Sequence, residues 1–286
     1  MTAESALSIL VTGAGGQLGR ELVHLKVQED VRIIGLGRNE LDITNPEQCR
    51  AAMEAHRPNA VIHCAAYTAV DKAETDADEA YRINALGTRN VALAARAFGA
   101  KLCYISTDYV FDGKGGKPYD VDEQPNPQTV YGQTKLAGER EVQALLDRCY
   151  IVRTSWVYGP YGANFVKTIL KLARERDRLT VVSDQIGSPT YTLDLAEFLV
   201  RLVQTEKYGI YHVCNSGSCS WHEFAKAIVL ESGITAVKVD PCSTAEYPRP
   251  AARPAYSVMS HAAIDRAGLE DLRPWRDALR YCLKRI

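Results

Sequence analysis

Three residues in the middle of the chain have types and spacing suited to proton transfer: Thr107, Tyr131 and Lys135. Tyr131 and Lys135 are four positions apart in the run Tyr-Gly-Gln-Thr-Lys, so on a helix both side chains point to the same face. A Lys ammonium beside a phenol lowers the pKa of the phenol, which makes the Tyr a usable proton donor near neutral pH. The spacing alone is weak evidence, because an exposed helix face can carry the same pair.

A glycine-rich turn near the N-terminus predicts the cofactor that such chemistry needs. Residues 8–12 are an apolar run typical of a buried strand, and the turn Gly-Ala-Gly-Gly-Gln-Leu-Gly leads from this strand into a helix. Glycines here let the backbone approach a pyrophosphate, and the helix N-terminus offers it free N–H groups. We therefore predict a dinucleotide site that includes Gly13, Gly15, Gly16, Gln17 and Leu18.

The residues after the second predicted strand bear on the choice of cofactor. An NAD-specific site usually carries an acidic residue directly after this strand, where the present chain has Arg38. Arg38 could pair with a 2′-phosphate, which favours NADPH or the use of both NADPH and NADH, or it could be a solvated loop charge. Asp42 and Ile43 could line the adenine side, and Asp42 could equally belong to the turn before the next helix.

Alternating strands and helices in the first half predict an α/β fold, a Rossmann-type doubly wound parallel sheet with helices on both faces. The predicted strands are residues 8–12, 31–36, 60–64, 102–106 and 150–153, and the predicted helices are residues 17–27, 46–56, 78–98 and 131–146. Ligands bind at the carboxyl ends of such strands. Gly13, Ala65, Thr107 and Thr154 should therefore lie along one edge of the sheet.

Longer blocks of sequence are more specific than the glycine turn. They are residues 63–74 (HCAAYTAVDKAE), 106–113 (STDYVFDG), 153–159 (RTSWVYG), 184–190 (DQIGSPT) and 249–254 (RPAARP). In this order, over nearly the whole chain, they resemble the dTDP-4-dehydrorhamnose reductases, a family of the extended short-chain dehydrogenase/reductase superfamily. The resemblance implies NADPH- or NADH-dependent reduction of the C4 keto group of dTDP-4-dehydro-L-rhamnose, a step in cell-surface polysaccharide biosynthesis.

The resemblance also implies roles for individual residues. Tyr131 gives a proton to the new alkoxide, Lys135 holds the nicotinamide ribose, and Thr107 polarises the carbonyl. Trp156 packs on the sugar ring. The remaining expected ligands are Ala65, Ala66 and Tyr67 for the cofactor, and Asp108, Asn164, Gln185 and Arg253 for the substrate.

The second half of the chain is less regular than the first. It predicts helices at residues 164–176 and 192–204, a strand near residues 179–182, and a Pro-rich loop at residues 247–254 suited to closing over an anion. The resemblance implies a dinucleotide-binding domain over residues 1–155, to which residues near 180–205 return. Residues 156–286 would then form mainly a smaller substrate-binding α/β domain.

One departure from related families narrows the chemistry. Nucleotide-sugar 4,6-dehydratases carry Thr-Asp-Glu where this chain has Thr107-Asp108-Tyr109. Without that Glu the site is poorly equipped for dehydration, but it keeps what a carbonyl reduction needs. Two other interpretations stay open: a cofactor-binding regulatory subunit of a methionine adenosyltransferase, and a reductase or epimerase of another nucleotide sugar.

Composition limits the classes of protein to which this chain can belong. The chain has 286 residues with a net charge of −1, which gives no general attraction to nucleic acid or acidic membranes. It has no run long enough for a membrane span and no signal-peptide pattern at its start, so we expect a cytoplasmic enzyme with reduced cysteines.

The sequence assigns no metal ligand. Four candidate zinc ligands match no zinc-finger spacing: His212, Cys214, Cys219 and His222. Some members of the resembled family dimerise around Mg²⁺, so a homodimer and Mg²⁺ stay open, with no metal ligand assigned.

Overall fold

The central element of the fold is a sheet of six parallel strands. A computed structural model describes residues 7–286, so the first six residues of the predicted first domain lie outside it. Its strands are β1 (Leu7–Thr12), β2 (Val31–Leu36), β3 (Ala60–His63), β4 (Lys101–Thr107), β5 (Cys149–Thr154), β6 (Val157–Tyr158), β7 (Arg178–Val182), β8 (Ile186–Gly187), β9 (Thr190–Tyr191), β10 (Gly209–His212), β11 (Cys219–Ser220) and β12 (Lys238–Cys242). The main sheet has the order β10-β5-β4-β3-β1-β2.

Helices cover both faces of this sheet, which is why its strands are almost continuously apolar. Ile9, Leu10 and Val11 of β1, for example, are all fully buried. The helices are α1 (Gln17–Val23), α2 (Pro46–His56), α3 (Val70–Ala73), α4 (Ala77–Tyr81), α5 (Thr88–Ala97), α6 (Val130–Leu145), α7 (Phe165–Glu175), α8 (Thr192–Val203), α9 (Trp221–Glu231), α10 (Ala262–Arg266) and α11 (Trp275–Leu283). The predicted Rossmann-type fold is confirmed, and all five strands predicted for the first half are present.

Two predicted helices differ from the observed ones. The helix predicted over residues 17–27 ends at Val23, and Leu25 and Val27 pack against the core from the irregular segment that follows. The helix predicted over residues 78–98 is interrupted by a π-helix at Arg82–Gly87. A π turn inserts an extra residue into a helix and is frequent at functional sites.

The second half of the chain builds a smaller body beside the main sheet. Its own apolar core includes Val166 and Ile169 of α7 with Phe224 and Ile228 of α9. β7 pairs with β12 in a separate parallel sheet. The return of residues near 180–205 to the first domain stays a prediction. The elements that join the main body are α8, which packs on α1, and β10, which pairs with β5. The domain boundary near residue 155 stays a prediction.

No helix within residues 7–286 is both long enough and apolar enough to cross a membrane.

Candidate active site

A large cavity opens at the carboxyl ends of the main strands. Its volume is about 1070 Å³, and Gly13, Ala65, Thr107 and Thr154, which follow or end β1, β3, β4 and β5, all line it. Pockets for single drug-sized ligands reach about 1,000 Å³. The cavity therefore has room for a large ligand or for two ligands side by side.

The glycine turn forms one end of the cavity and fits a dinucleotide. Gly13 has φ +69°, and a Cβ atom added there would lie 2.6 Å from the backbone nitrogen of Ala65. A Cβ atom at Gly19 would lie 2.3 Å from the carbonyl oxygen of Gly13. Gly16 precedes α1 without a side-chain cap, so the first backbone N–H groups of the helix are available to an anion. Positions 13 and 19 of this turn therefore tolerate only glycine, and the turn presents backbone donors suited to a pyrophosphate.

The three proposed catalytic residues come from two neighbouring elements and all line the cavity. Thr107 ends β4, and Tyr131 and Lys135 lie on α6, which begins after the N-cap Thr129. The start of α6 packs closely on the residues after β4, since a Cβ atom at Gly132 would lie 2.2 Å from the carbonyl oxygen of Tyr109. This contact fixes the helix that carries the phenol and the ammonium next to Thr107.

The protonation of Tyr131 and Lys135 differs from the prediction that the ammonium lowers the phenol pKa. Burial raises the pKa of Tyr131 to about 12, against the opposing effect of the Thr107 hydroxyl. Burial also lowers the pKa of Lys135 to about 7, against the opposing effect of Glu139. The Lys135 Nζ lies 4.0 Å from the centre of the Tyr104 ring. Tyr131 therefore carries its proton throughout the neutral range, while Lys135 titrates within it.

Asp108 is a second buried acid beside the proposed donor. Its side chain accepts a hydrogen bond from Thr107 Oγ1 at 2.9 Å, and burial raises its pKa to about 6. Among the described residues its Oδ2 atom is one of four buried side-chain polar atoms without a hydrogen-bond partner. An unpaired polar atom in a buried position is costly in free energy.

A buried ion pair that the sequence did not predict joins α6 to β5. Glu139 and Arg153 are 1% and 2% exposed and form two hydrogen bonds, at 2.7 and 2.9 Å, and Ser106 donates to the same carboxylate. Glu139 lies one further helical turn beyond Lys135, a spacing that could have indicated a shared face. The pair ties α6 to β4 and β5, the strands that end at Thr107 and Thr154.

Asn84, in the π-helix, has a fully buried side chain that contacts two other segments. Its side chain bonds the backbone nitrogen of Tyr67 at 2.8 Å and the carbonyl oxygen of Tyr67 at 3.1 Å. It also donates to Thr134 Oγ1 of α6 at 3.0 Å. Asn84 thus connects the loop after β3 to α6.

Most of the predicted cofactor ligands line the cavity, and one does not. The lining ones are Gly13, Gly15, Gly16, Gln17, Leu18, Arg38, Asp42, Ile43, Ala65, Ala66, Tyr131 and Lys135. Asp42 also accepts hydrogen bonds from the backbone and hydroxyl of Thr44, which is the turn role left open above. Tyr67 does not line the cavity, because its hydroxyl donates to Asp76 and its backbone is held by Asn84.

An aromatic stack forms the other end of the cavity. The Trp156 ring lies 3.6 Å from the Trp221 ring at an interplanar angle of 12°. Trp156 has φ +49°, a conformation that costs a non-glycine residue free energy and tends to occur at functional sites. A Cβ atom added at Gly187 would lie 2.6 Å from the indole of Trp156. Trp221 and Gly187 are thus two further residues that set the position of Trp156.

The remaining predicted substrate ligands are four residues that line the cavity and one that does not. Thr107, Asp108, Gln185 and Arg253 line the cavity. Gln185 donates to Thr244 Oγ1 at 2.9 Å, so part of its amide is already engaged. Asn164 does not line the cavity, because it is the N-cap of α7 and also donates to Gln17 Oε1 and to the carbonyl oxygen of Gly159.

Within residues 7–286, no three His, Cys, Asp or Glu side chains are grouped so that they could hold a metal ion.

Comparison with known proteins identifies relatives along the full described chain. Residues 7–286 match the family model described as RmlD substrate binding domain. The chain is 48% identical over 276 residues to the spore coat polysaccharide biosynthesis protein SpsK of Bacillus subtilis, covering 96% of each. It is 46% identical over 276 residues to a dTDP-4-dehydrorhamnose reductase of Streptomyces griseus, covering 94% of this chain and 91% of the relative.

A solved structure matches the fold over almost its whole length. It is a dTDP-4-dehydrorhamnose reductase of Bacillus anthracis in complex with NADP, with a TM-score of 0.95 and 46% sequence identity. The match covers 98% of this chain and 99% of that one.

Proposed function

The chain belongs to the RmlD substrate binding domain family, and on that premise we propose that it reduces the C4 keto group of dTDP-4-dehydro-L-rhamnose to give dTDP-L-rhamnose. The observation that carries the proposal is the position of Thr107, Tyr131 and Lys135 in a cavity with the glycine turn at one end and an aromatic stack at the other. The product is a precursor for cell-surface polysaccharide, and we propose that the reaction takes place in the cytoplasm.

The residues of the chain supply the proton and the orientation for this reduction. A bound nicotinamide supplies the hydride. Tyr131 holds a proton at neutral pH, because its pKa is about 12, and delivers it to the oxygen at C4. Thr107, which already donates to Asp108, turns its hydroxyl towards the carbonyl oxygen and polarises it. Lys135 binds the ribose hydroxyls with its ammonium, which is partly deprotonated near pH 7 in the ligand-free site.

The cofactor we propose is NADPH, with NADH as an alternative. Arg38 is exposed and lines the cavity after β2, where it can meet a 2′-phosphate. The structural relative of Bacillus anthracis was solved with NADP. At the other end of the cavity we propose Asp108, Trp156, Gln185 and Arg253 as contacts of the nucleotide sugar.

The other two interpretations make different predictions for one experiment. The protein is incubated with NADPH and a panel of dTDP-, UDP- and GDP-4-keto sugars, and the loss of the reduced-nicotinamide absorbance is followed. We expect the fastest oxidation with dTDP-4-dehydro-L-rhamnose. A faster reaction with another sugar would favour a different nucleotide-sugar reductase. No oxidation with any sugar would contradict the proposal and favour the regulatory subunit, which a pull-down of a methionine adenosyltransferase would test.

A further inference from the structure

A Pro-rich segment covers one side of the cavity. We call residues 247–253 the arginine loop, after Arg249 and Arg253, which both line the cavity. The chain just beyond the loop is fixed by the backbone, since Tyr256 N donates to the carbonyl oxygen of Gly113 at 3.0 Å. The loop itself belongs to no strand or helix after Glu246, so side-chain contacts must hold it in place.

A single carboxylate outside the loop supplies those contacts. Asp71, in α3, accepts from Arg253 Nη2 at 2.8 Å and from the backbone nitrogen of Ala251 at 3.2 Å. Arg249 Nη1 lies 4.0 Å from the same carboxylate. Among the hydrogen bonds between described residues, those that join residues 248–253 to residues outside the arginine loop all end on Asp71, while Arg249 also donates to Tyr247 within the loop. Asp71 thus fixes the arginine loop to the cofactor-binding half of the molecule.

Asp71 leaves Arg253 able to bind a second anion. A guanidinium has five N–H donors in a planar fork. Arg253 uses one of them on Asp71 and one on the carbonyl oxygen of Ala251, at 3.0 Å. The remaining three donors stay available, and the side chain is 20% exposed beside the cavity.

We propose that Asp71 is a positioning residue that holds Arg253 over the cavity in the orientation that binds the diphosphate of the nucleotide sugar. The proposal rests on the function proposed above for the same cavity. An arginine already ordered by Asp71 loses less side-chain entropy when the diphosphate binds. The excess positive charge of Arg249 and Arg253 over Asp71 suits a dianionic ligand.

Asp71 could instead compete with the diphosphate for the arginines, and that role predicts the opposite change in dTDP affinity when Asp71 is removed. If the carboxylate only competed with the diphosphate for the arginines, its removal would tighten binding. If it positions Arg253, its removal weakens binding by roughly three- to tenfold, the contribution of one ordered side chain. The sign of the change therefore separates the two roles.

The experiment measures the binding of dTDP by calorimetry to the NADPH-loaded protein. Asp71→Asn removes the charge and keeps the shape, Asp71→Ala removes both, and Asp78→Asn, at an exposed Asp of the neighbouring α4, is the matched control. We expect the Kd for dTDP to rise in both Asp71 variants, more in Asp71→Ala, with the Kd for NADPH unchanged. In turnover, KM for the nucleotide sugar rises while kcat is kept. Unchanged or tighter dTDP binding would overturn the proposal.

A double-variant cycle covers the case in which a single variant is less stable. On an Arg253→Gln background, Asp71→Asn should add little to the loss of dTDP affinity, because the two residues act together. Fully additive losses would show that Asp71 does not act through Arg253. Because dTDP binding is measured without turnover, a protein that binds dTDP as expected but reduces no sugar would contradict the proposed function alone.

Discussion

The two ends of the cavity are built in different ways. The cofactor end is formed by residues 13–18 and the loop after β2. Its shape is set mainly by the backbone, and Gly13 packs against the backbone of Ala65. At the substrate end, formed by Trp156, Trp221, Gln185 and the arginine loop, side chains from distant parts of the sequence contact one another. The first end is thus fixed by local chain geometry, and the second depends on tertiary pairs.

This difference suggests how the cavity separates its two tasks. A backbone cradle recognises a phosphate group that is common to many ligands and tolerates little change. Side-chain pairs can be exchanged one at a time, and such positions are where specificity changes among related enzymes. Variants at the cofactor end should therefore affect the nicotinamide cofactor, and variants at the substrate end should affect the nucleotide sugar.

The largest effect on turnover should come from Tyr131, the proposed proton donor. Tyr131→Phe removes the proton donor and should reduce kcat by about 10²–10⁴-fold, while the Kd for NADPH stays nearly unchanged. Steady-state kinetics with a fluorescence titration of NADPH would measure both. Tyr281→Phe, at an exposed Tyr of α11, is the matched control. Near-normal turnover in Tyr131→Phe would remove this residue from its role.

At the cofactor end, Gly13→Ala should weaken NADPH binding strongly. The added Cβ would lie 2.6 Å from backbone nitrogen of Ala65, and the φ of +69° is unfavourable for Ala. Strain of this kind costs about 1–3 kcal/mol, which corresponds to a rise of about fivefold to 150-fold in the Kd for NADPH. Gly116→Ala, where an added Cβ meets nothing within 4 Å, is the control. An unchanged Kd would show that the turn is not rigid in the way described.

At the substrate end, Gly187→Ala should have the complementary effect. Its added Cβ would push on the indole of Trp156 and disturb the stack with Trp221. An aromatic pair is worth about 0.5–1.5 kcal/mol, so we expect KM for the nucleotide sugar to rise about two- to tenfold. The circular-dichroism couplet of the two stacked indoles should weaken in parallel. The comparison of the two ends fails if the Kd for NADPH changes instead.

The smallest effect should come from Arg38→Ala, which tests cofactor choice. An exposed ion pair contributes about 0.2–1 kcal/mol, so the ratio of kcat/KM for NADPH to that for NADH should fall by up to about fivefold. Arg32→Ala, at an exposed Arg of β2, is the control. A ratio that does not move would mean that Arg38 does not bind the 2′-phosphate.

The sequence predicts the cofactor end well because its signals are local. The glycine spacing, the apolar strand before it and the Tyr131–Lys135 pair each lie within a few residues, and the parallel order of the strands brings them to one edge. The protonation of the pair was predicted wrongly, because burial depends on the packed fold. It raises the pKa of Tyr131 to about 12 and lowers that of Lys135 to about 7.

The substrate end could not be predicted in the same detail. Asp71 and Arg253 are 182 residues apart in the chain, and the Trp156–Trp221 stack joins a strand end to the start of α9. No local pattern encodes such pairs. The resemblance implied that Asn164 contacts substrate, and in the structure its side chain caps α7, a local preference of Asn.

The central claim is that this cavity transfers a hydride from NADPH to C4 of a dTDP-linked 4-keto sugar. The most direct test uses NADPH that carries deuterium at the transferred position, with dTDP-4-dehydro-L-rhamnose as the acceptor. The product is analysed by NMR and mass spectrometry. We predict dTDP-L-rhamnose with one deuterium at C4. Oxidation of the cofactor without deuterium in the sugar, or no sugar product at all, would contradict the account.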